Sequence, residues 1–253
     1  MTVLIISCHP DDAELMMAGT ALLLKRAGCQ IHYFNVANGS AGSSGAGPAE
    51  IAAMRKKEAM KAADLLGAVF HESLVDDLEV FYTHDLIRQV TALVRKVKPD
   101  IVLTQSLEDY MEDHMNTGRI AVTATFARGI PNYESVPREP AVLNDLMLYH
   151  STPHILTDMM RRPIVPEMYV DITEVIDEKE KLLACHVSQK EWLDATQGFD
   201  SYLKTMRDAA RAVGQMSGRY RFAEGWRRHS PVGFSRQDGN PIAALLPDHC
   251  VTG

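Results

Sequence analysis

Val3 to Ser7 is a short, unbroken apolar run rich in β-branched residues. That pattern suits a strand buried on both faces, as in a parallel sheet. From Ala13 to Ala27 the apolar positions take helical spacing, with Leu15, Met16, Leu22, Leu23 and Leu24 on one side and Gly28 as the stop. Ile31 to Val36 returns to a strand pattern. Strand, loop, helix and strand form the unit of folds that place helices on both faces of a mostly parallel sheet. The same reading predicts helices over Glu50 to Leu66, His84 to Val97, Thr117 to Arg128, Glu174 to Trp192 and Phe199 to Ser217. It predicts strands at Val69 and Phe70, over Asp100 to Thr104, within Ala141 to His150 and over Tyr169 to Ile172. Asn38 to Pro48 is Gly/Ser-rich and is expected to be a loop, as is Pro131 to Pro140. The expected fold is α/β: a single-domain, Rossmann-like three-layer sandwich with a mostly parallel sheet over residues 1–228. An irregular tail is expected over 229–253, where Pro231, Gly233, Gly239 and Pro241 interrupt any period.

Composition narrows the class. A chain of 253 residues fits one large domain, and 46% apolar with 23% charged residues is ordinary for a globular protein. The net charge of −7 argues against a nucleic-acid partner, which would call for excess Lys and Arg. No basic, apolar leader opens the chain, and no stretch approaches ~20 continuous apolar residues, so neither a signal peptide nor a membrane span is expected. Cys8, Cys29, Cys185 and Cys250 form no CxxC pair and read as free thiols in a reducing, cytoplasmic setting.

The candidate chemistry lies in two loops. His9, Pro10, Asp11 and Asp12 follow the first strand, and ligands in open α/β sheets bind at the carboxyl ends of strands. His nitrogen and Asp oxygen both suit zinc. A plainer alternative is that Asp11 or Asp12 caps the helix beginning near Ala13. The loop after Asp100 to Thr104 holds Glu108, Asp109, Glu112, Asp113 and His114, four acidic residues and a histidine within seven positions. If the two strands are neighbours, a His-Asp-His set forms and leaves a fourth zinc position open, as a catalytic site requires. Alone, the second loop would read as a solvated acidic loop with a surface histidine.

In these segments the chain resembles the LmbE-like, or PIG-L, family of zinc-dependent N-deacetylases. His9-Pro10-Asp11-Asp12-Ala13-Glu14 with Gly19-Thr20 is similar to the first family motif, and Asp113-His114 with Gly118-Arg119 to the second. Arg55 and Glu58 ahead of Leu66-Gly67, Pro99-Asp100, His186-Val187-Ser188-Gln189 and Ala223-Glu224-Gly225-Trp226 extend the resemblance from residue 3 to about residue 228. It implies zinc held by His9, Asp12 and His114, with Asp11 as general base. It implies Arg55 as a substrate anchor and a homo-oligomer. Asp113 is expected to orient a histidine, with His114 as its partner in this chain. The resemblance fails at Met111, where many members carry a histidine that assists catalysis, and methionine neither donates a proton nor carries charge. Asp109, Tyr110, His150, His154 and His186 are the candidates to replace it.

The implied activity is removal of an acetyl group from an N-acetylated amino sugar or glycoconjugate, a small molecule. The alternatives are a zinc amidohydrolase for a non-sugar amide and a non-catalytic sugar-binding relative. His186 on a predicted helix reads either as a buried structural residue or as a site residue. The Gly/Ser loop over Gly39 to Gly47 reads as a lid, the thirteen methionines as core filling, and the stretch from Arg219 to Arg228 as an anion site or a subunit interface.

Overall fold

Alternate residues of the first strand face opposite cores. The computed structural model describes residues 1–42, 45–196 and 202–252. In β1 (Thr2–Ser7), Val3 and Ile5 join one buried cluster and Leu4 and Ile6 the other. This is why the run is apolar without interruption: neither face of the strand meets water. The first cluster includes residues of α1 (Asp12–Met16), α2 (Ala18–Arg26) and α3 (Pro48–Leu66). The second includes residues of α4 (His84–Val97) and α5 (Glu112–Ala127).

β1 pairs in parallel with β2 (Gln30–Asn35) on one side and β4 (Ile101–Thr104) on the other. β3 (Val69–His71) continues beyond β2, and β5 (Met147–Ser151) beyond β4, all parallel. The carboxyl ends of β1 and β4 are therefore neighbours, and their following loops meet. The sheet continues through β7 (Ala223–Arg228), β6 (Met168–Asp171) and β8 (Cys250–Thr252), each antiparallel to its neighbour. The order is β3-β2-β1-β4-β5-β7-β6-β8. Among the described residues, no helix is long and apolar enough to cross a membrane.

Several expectations change. The helix predicted over Ala13 to Ala27 breaks at Met17, whose φ of −131° and ψ of −21° leave the helical region. The break starts α2 afresh, with its first amides facing Glu224 of β7. Gly19 N and Thr20 N donate to the two Glu224 carboxylate oxygens at 2.8 and 2.7 Å. Those orphan amides and the positive helix end favour an anion. Lys179 on α6 (Ile176–Leu183) balances the charge from 2.5 Å. A Cβ on Gly19 would lie 2.6 Å from Ile172 Cγ2 and 2.9 Å from Glu224 Oε1, so only glycine fits the cap.

The helix predicted over Glu174 to Trp192 divides into a 3-10 turn at Thr173–Val175, then α6, then α7 (Val187–Thr196). The break between α6 and α7 carries His186 to full burial. α5 begins at Glu112, five residues before the expected start, because the acidic residues form its first turn. α8 spans Tyr202–Met216, and residues 199–201 of the predicted helix lie outside the described residues. The stretch from Arg219 to Arg228 contains β7, where Trp226 is fully buried and its indole donates to Thr20 Oγ1 at 3.0 Å. The tail is not irregular. It forms α9 (Pro241–Leu245) and β8, and buried Ile242 and Leu246 anchor it to the first core.

The Glu224 cap yields a prediction. Glu224→Ala leaves the Lys179 ammonium and two helix amides buried without their partner, which costs about 3–5 kcal/mol. The midpoint of denaturant unfolding is expected to fall accordingly, and a change below about 1 kcal/mol would contradict the assignment.

Candidate metal centre

Local backbone geometry aims the first loop. Asp11 occupies the N-cap position of α1 yet makes no side-chain cap bond, so capping does not account for it. Its φ is 109°, a left-handed conformation costing of order 1–3 kcal/mol, of the kind that clusters at functional sites. Asp12 accepts the His9 amide at 2.8 Å and the Gln105 side-chain amide, from beyond β4, at 3.0 Å, both on Oδ2. The same oxygen stands 3.4 Å from His9 Nδ1 and 3.4 Å from His114 Nε2.

In the second loop Asp109 accepts the amides of Tyr110 and Met111 at 2.7 and 3.2 Å. This turn leads into α5 and places His114 in its first turn. His114 Nδ1 lies 3.1 Å from the same Asp109 oxygen. Asp113 Oδ2 takes the Leu78 amide at 2.8 Å and lies 3.2 Å from His9 Nε2. The expected Asp113–His114 pairing is thus corrected: each histidine has its own carboxylate, because successive side chains at the start of α5 point in different directions.

The pairings set the ring roles. A proton on His9 Nε2, shared with Asp113, leaves Nδ1 as a lone pair. A proton on His114 Nδ1, shared with Asp109, leaves Nε2. The free atoms are those facing Asp12 Oδ2, and candidate donor atoms of His9, Asp12 and His114 lie within 4.8 Å of one another. Two ligands each ~2.05 Å from a tetrahedral ion stand about 3.3 Å apart, so the 3.4 Å spacings fit zinc. The electrostatics agree. Burial opposes charge on both rings, yet His9 is raised well above the ordinary imidazole value by Cys8, Asp113 and Asp12, and His114 by Asp12 and Asp109. Burial also opposes the Asp12 carboxylate, but His114 and His9 hold it well below the usual range. The cluster draws positive charge. Cys8 Sγ lies 3.6 Å from His9 Nε2 and completes a second possible set with Asp113, but burial pushes its thiol up to about 11 and disfavours the thiolate a metal needs.

Asp11 stands outside the ligand set. Its Oδ1 lies 3.5 Å from Arg55 Nη2, and its Oδ2 accepts a short hydrogen bond from the Tyr202 hydroxyl on α8. Burial pushes its carboxyl up to about 6 against the pull of Arg55. Arg55 is itself buried: it donates to the Pro10 carbonyl, reaches the Gly39 carbonyl at 3.4 Å, and lies 3.9 Å from Asp77 Oδ2. Gly39, at φ +80°, has no room for a Cβ beside the Arg55 side chain.

These groups open onto a cavity of ≈ 240 Å³. Of the predicted residues, His9, Asp11, Asp12, Arg55 and His114 line it. Asp109 and Asp113 stand behind the histidines. His186 is fully buried with its Nε2 3.4 Å from Glu14 Oε2 and is not among the residues lining the cavity, which fits the buried structural reading. Ala41 and Gly42 of the Gly/Ser loop line the cavity, while residues 43–44 lie outside the described residues.

Asp77 and Tyr202 were missed by sequence reasoning. Asp77 follows β3 at the same sheet edge, where its oxygens hold the amides of Gly39 and Ala41 at 2.6 and 3.2 Å. A strand-end acidic pair, Asp76-Asp77, was the available signal. No local pattern marks Tyr202, which reaches Asp11 across 191 residues of chain.

The family model described as "PIG-L: GlcNAc-PI de-N-acetylase" matches residues 4–125, the span holding both candidate metal loops, so this span is similar to the PIG-L (LmbE-like) family. The chain is 28% identical over 235 residues to a diacetylchitobiose deacetylase of Thermococcus kodakarensis, covering 89% of this chain and 82% of that protein. It is 27% identical over 200 residues to a 4-oxalmesaconate hydratase of Pseudomonas putida, covering 75% and 74%. Its fold superposes on N,N'-diacetylchitobiose deacetylase from Pyrococcus horikoshii with a TM-score of 0.75 at 25% identity, covering 95% of this chain and 88% of that one.

The carboxylates behind the rings are open to test. Asp109→Asn and Asp113→Asn are each expected to weaken zinc binding about 10–100-fold in competition with a chelator. Affinities equal to that of the unaltered protein would show that neither carboxylate orients its ring.

Proposed function

We propose that the protein is a zinc-dependent hydrolase of a linear amide bond, an N-deacetylase acting on an N-acetylated amino sugar or its conjugate. The observation carrying this reading is the division of labour in the first loop. His9 Nδ1 and His114 Nε2 each stand 3.4 Å from Asp12 Oδ2, while the buried Asp11 stands apart and faces the cavity. A binding module has no use for such a carboxylate. A bound zinc ion would supply the Lewis acid, polarising the water and the amide carbonyl.

Asp11 takes the proton of the attacking water as oxygen bonds to the carbonyl carbon. Its raised pKa brings it towards neutrality, where a general base works best. The Tyr202 hydroxyl and Arg55 hold the carboxylate from two sides. As the C–N bond breaks, Asp11 returns the proton to the leaving amine. Arg55 pairs with Asp11 and Asp77 and donates to two backbone carbonyls, so it anchors the base and the Gly39 turn while lining the cavity.

The walls support a sugar. Gln189, 8% exposed, lines the cavity with a buried Oε1 that has no partner among the described residues, an acceptor suited to a hydroxyl or amide N–H. The cavity volume lies below the ~300–1,000 Å³ typical of drug-sized ligands and suits one sugar ring with its acetamido group. The three-layer, Rossmann-like description of the domain, cytoplasmic residence and a homo-oligomeric assembly complete the proposal.

Zinc-loaded protein incubated with a panel of N-acetylated amino sugars is expected to release free amine. 4-Oxalmesaconate, named for the Pseudomonas relative, is expected to remain unhydrated. Asp11→Asn should keep its zinc while kcat falls about 10²–10⁴-fold. Near-normal turnover in that variant would refute Asp11 as base, and protein that neither retains nor regains zinc would refute the metallohydrolase.

A further inference from the structure

Met111 lines the cavity at the N-cap of α5 and offers no side-chain hydrogen-bond donor from that position. Among the histidines able to replace it, His150 is committed: its Nδ1 lies 2.8 Å from the Gln105 carbonyl and its Nε2 3.1 Å from His229. His186 is away from the cavity. Asp109 is occupied by His114 and two amides. His154, in the segment after β5, lines the same cavity as His9, Asp12 and His114. The Tyr110 ring meets it edge-on at 5.4 Å, and the same ring meets His114 edge-on at 5.5 Å. His154 is thereby held at a set distance from the metal ligand.

We infer that His154 supplies the missing donor: a neutral imidazole whose Nε2–H hydrogen-bonds the substrate oxygen as it becomes an oxyanion. The inference rests on the deacetylase reading of the site. Nδ1 of His154 is buried and has no hydrogen-bond partner among the described residues, whereas Nε2 is not sealed off in this way. A buried N–H without an acceptor is costlier than a buried lone pair, so the ring proton belongs on Nε2. Burial, with His114 nearby, also keeps the ring from charging, although Asp109 and Asp12 pull the other way. A neutral donor fits the step. The water oxygen bonds to carbon, the carbonyl π pair moves onto oxygen, and His154 stabilises that charge without giving up its proton. The amine's proton still comes from Asp11 as the C–N bond breaks.

The test uses full-length, zinc-loaded protein carrying His154→Ala, His154→Gln or His154→Asn. Two readouts are needed: steady-state kinetics on the best N-acetyl sugar, and the Kd of methylphosphonate, a tetrahedral mimic of the hydrated acetyl group. His154→Ala is expected to lose about 10²–10³-fold in kcat with little change in KM. Its methylphosphonate Kd should rise about 10-fold or more, with full zinc content. Glutamine carries an amide N–H near the place of Nε2 and should recover part of both losses; asparagine, whose amide falls near Nδ1, should not. If His154→Ala stays within about threefold of the unaltered protein in kcat and Kd, the inference is overturned. It is overturned equally if all three variants lose zinc and melting temperature together, since the ring is then structural. If the unaltered protein cleaves no N-acetyl sugar but the Kd pattern appears, the deacetylase reading fails and the donor role stands.

Discussion

Two histidines can share one small cation only if each commits its other nitrogen elsewhere, and the carboxylates Asp113 and Asp109 meet that condition for His9 and His114. Asp113 closes on His9 and Asp109 on His114, from 3.2 and 3.1 Å. Each contact fixes a tautomer and a ring plane at once. Both carboxylates flank the start of α5, so the position of one helix end decides the geometry of a ligand on the loop after β1. The sheet makes this possible: β1 and β4 run side by side in parallel, and the loops after them leave from the same edge.

The same edge explains why Asp11 differs from Asp12 although they are neighbours in sequence. The left-handed backbone at Asp11 turns its side chain away from the histidines and towards Arg55 and Tyr202. The two neighbouring carboxylates thus face different partners, and the left-handed backbone at Asp11 is held in place by Arg55 of α3 on one side and Tyr202 of α8 on the other.

What was legible in the sequence was local. The His9 to Asp12 loop follows a continuous apolar strand, and Asp109 to His114 follows another, so the candidate ligands and the candidate base could be picked out from short segments. The open α/β sheet was legible for the same reason, through the switch between strand and helix spacing. What escaped was carried by distant contacts. Glu224 caps α2 from more than 200 residues away, and Tyr202 meets Asp11 across 191 residues. β7 was hidden because its arginines, which pair with Glu108 and Asp238 at the surface, masked a strand whose Trp226 is wholly inside. β8 was hidden because three residues after a Pro/Gly-rich stretch give no period. The partner of Asp113 depended on which way side chains leave the first turn of α5, and spacing alone does not determine that.

The matched family model spans both candidate metal loops, and Met111 lies within that span as the chain's departure from the resemblance. The account depends throughout on which atoms face the ion. Zinc-edge X-ray absorption on the metal-loaded protein measures this most directly. The account predicts one ion per chain with nitrogen and oxygen donors at about 2.0–2.1 Å and no sulfur. A sulfur shell at about 2.3 Å would place the ion against Cys8 instead and contradict it.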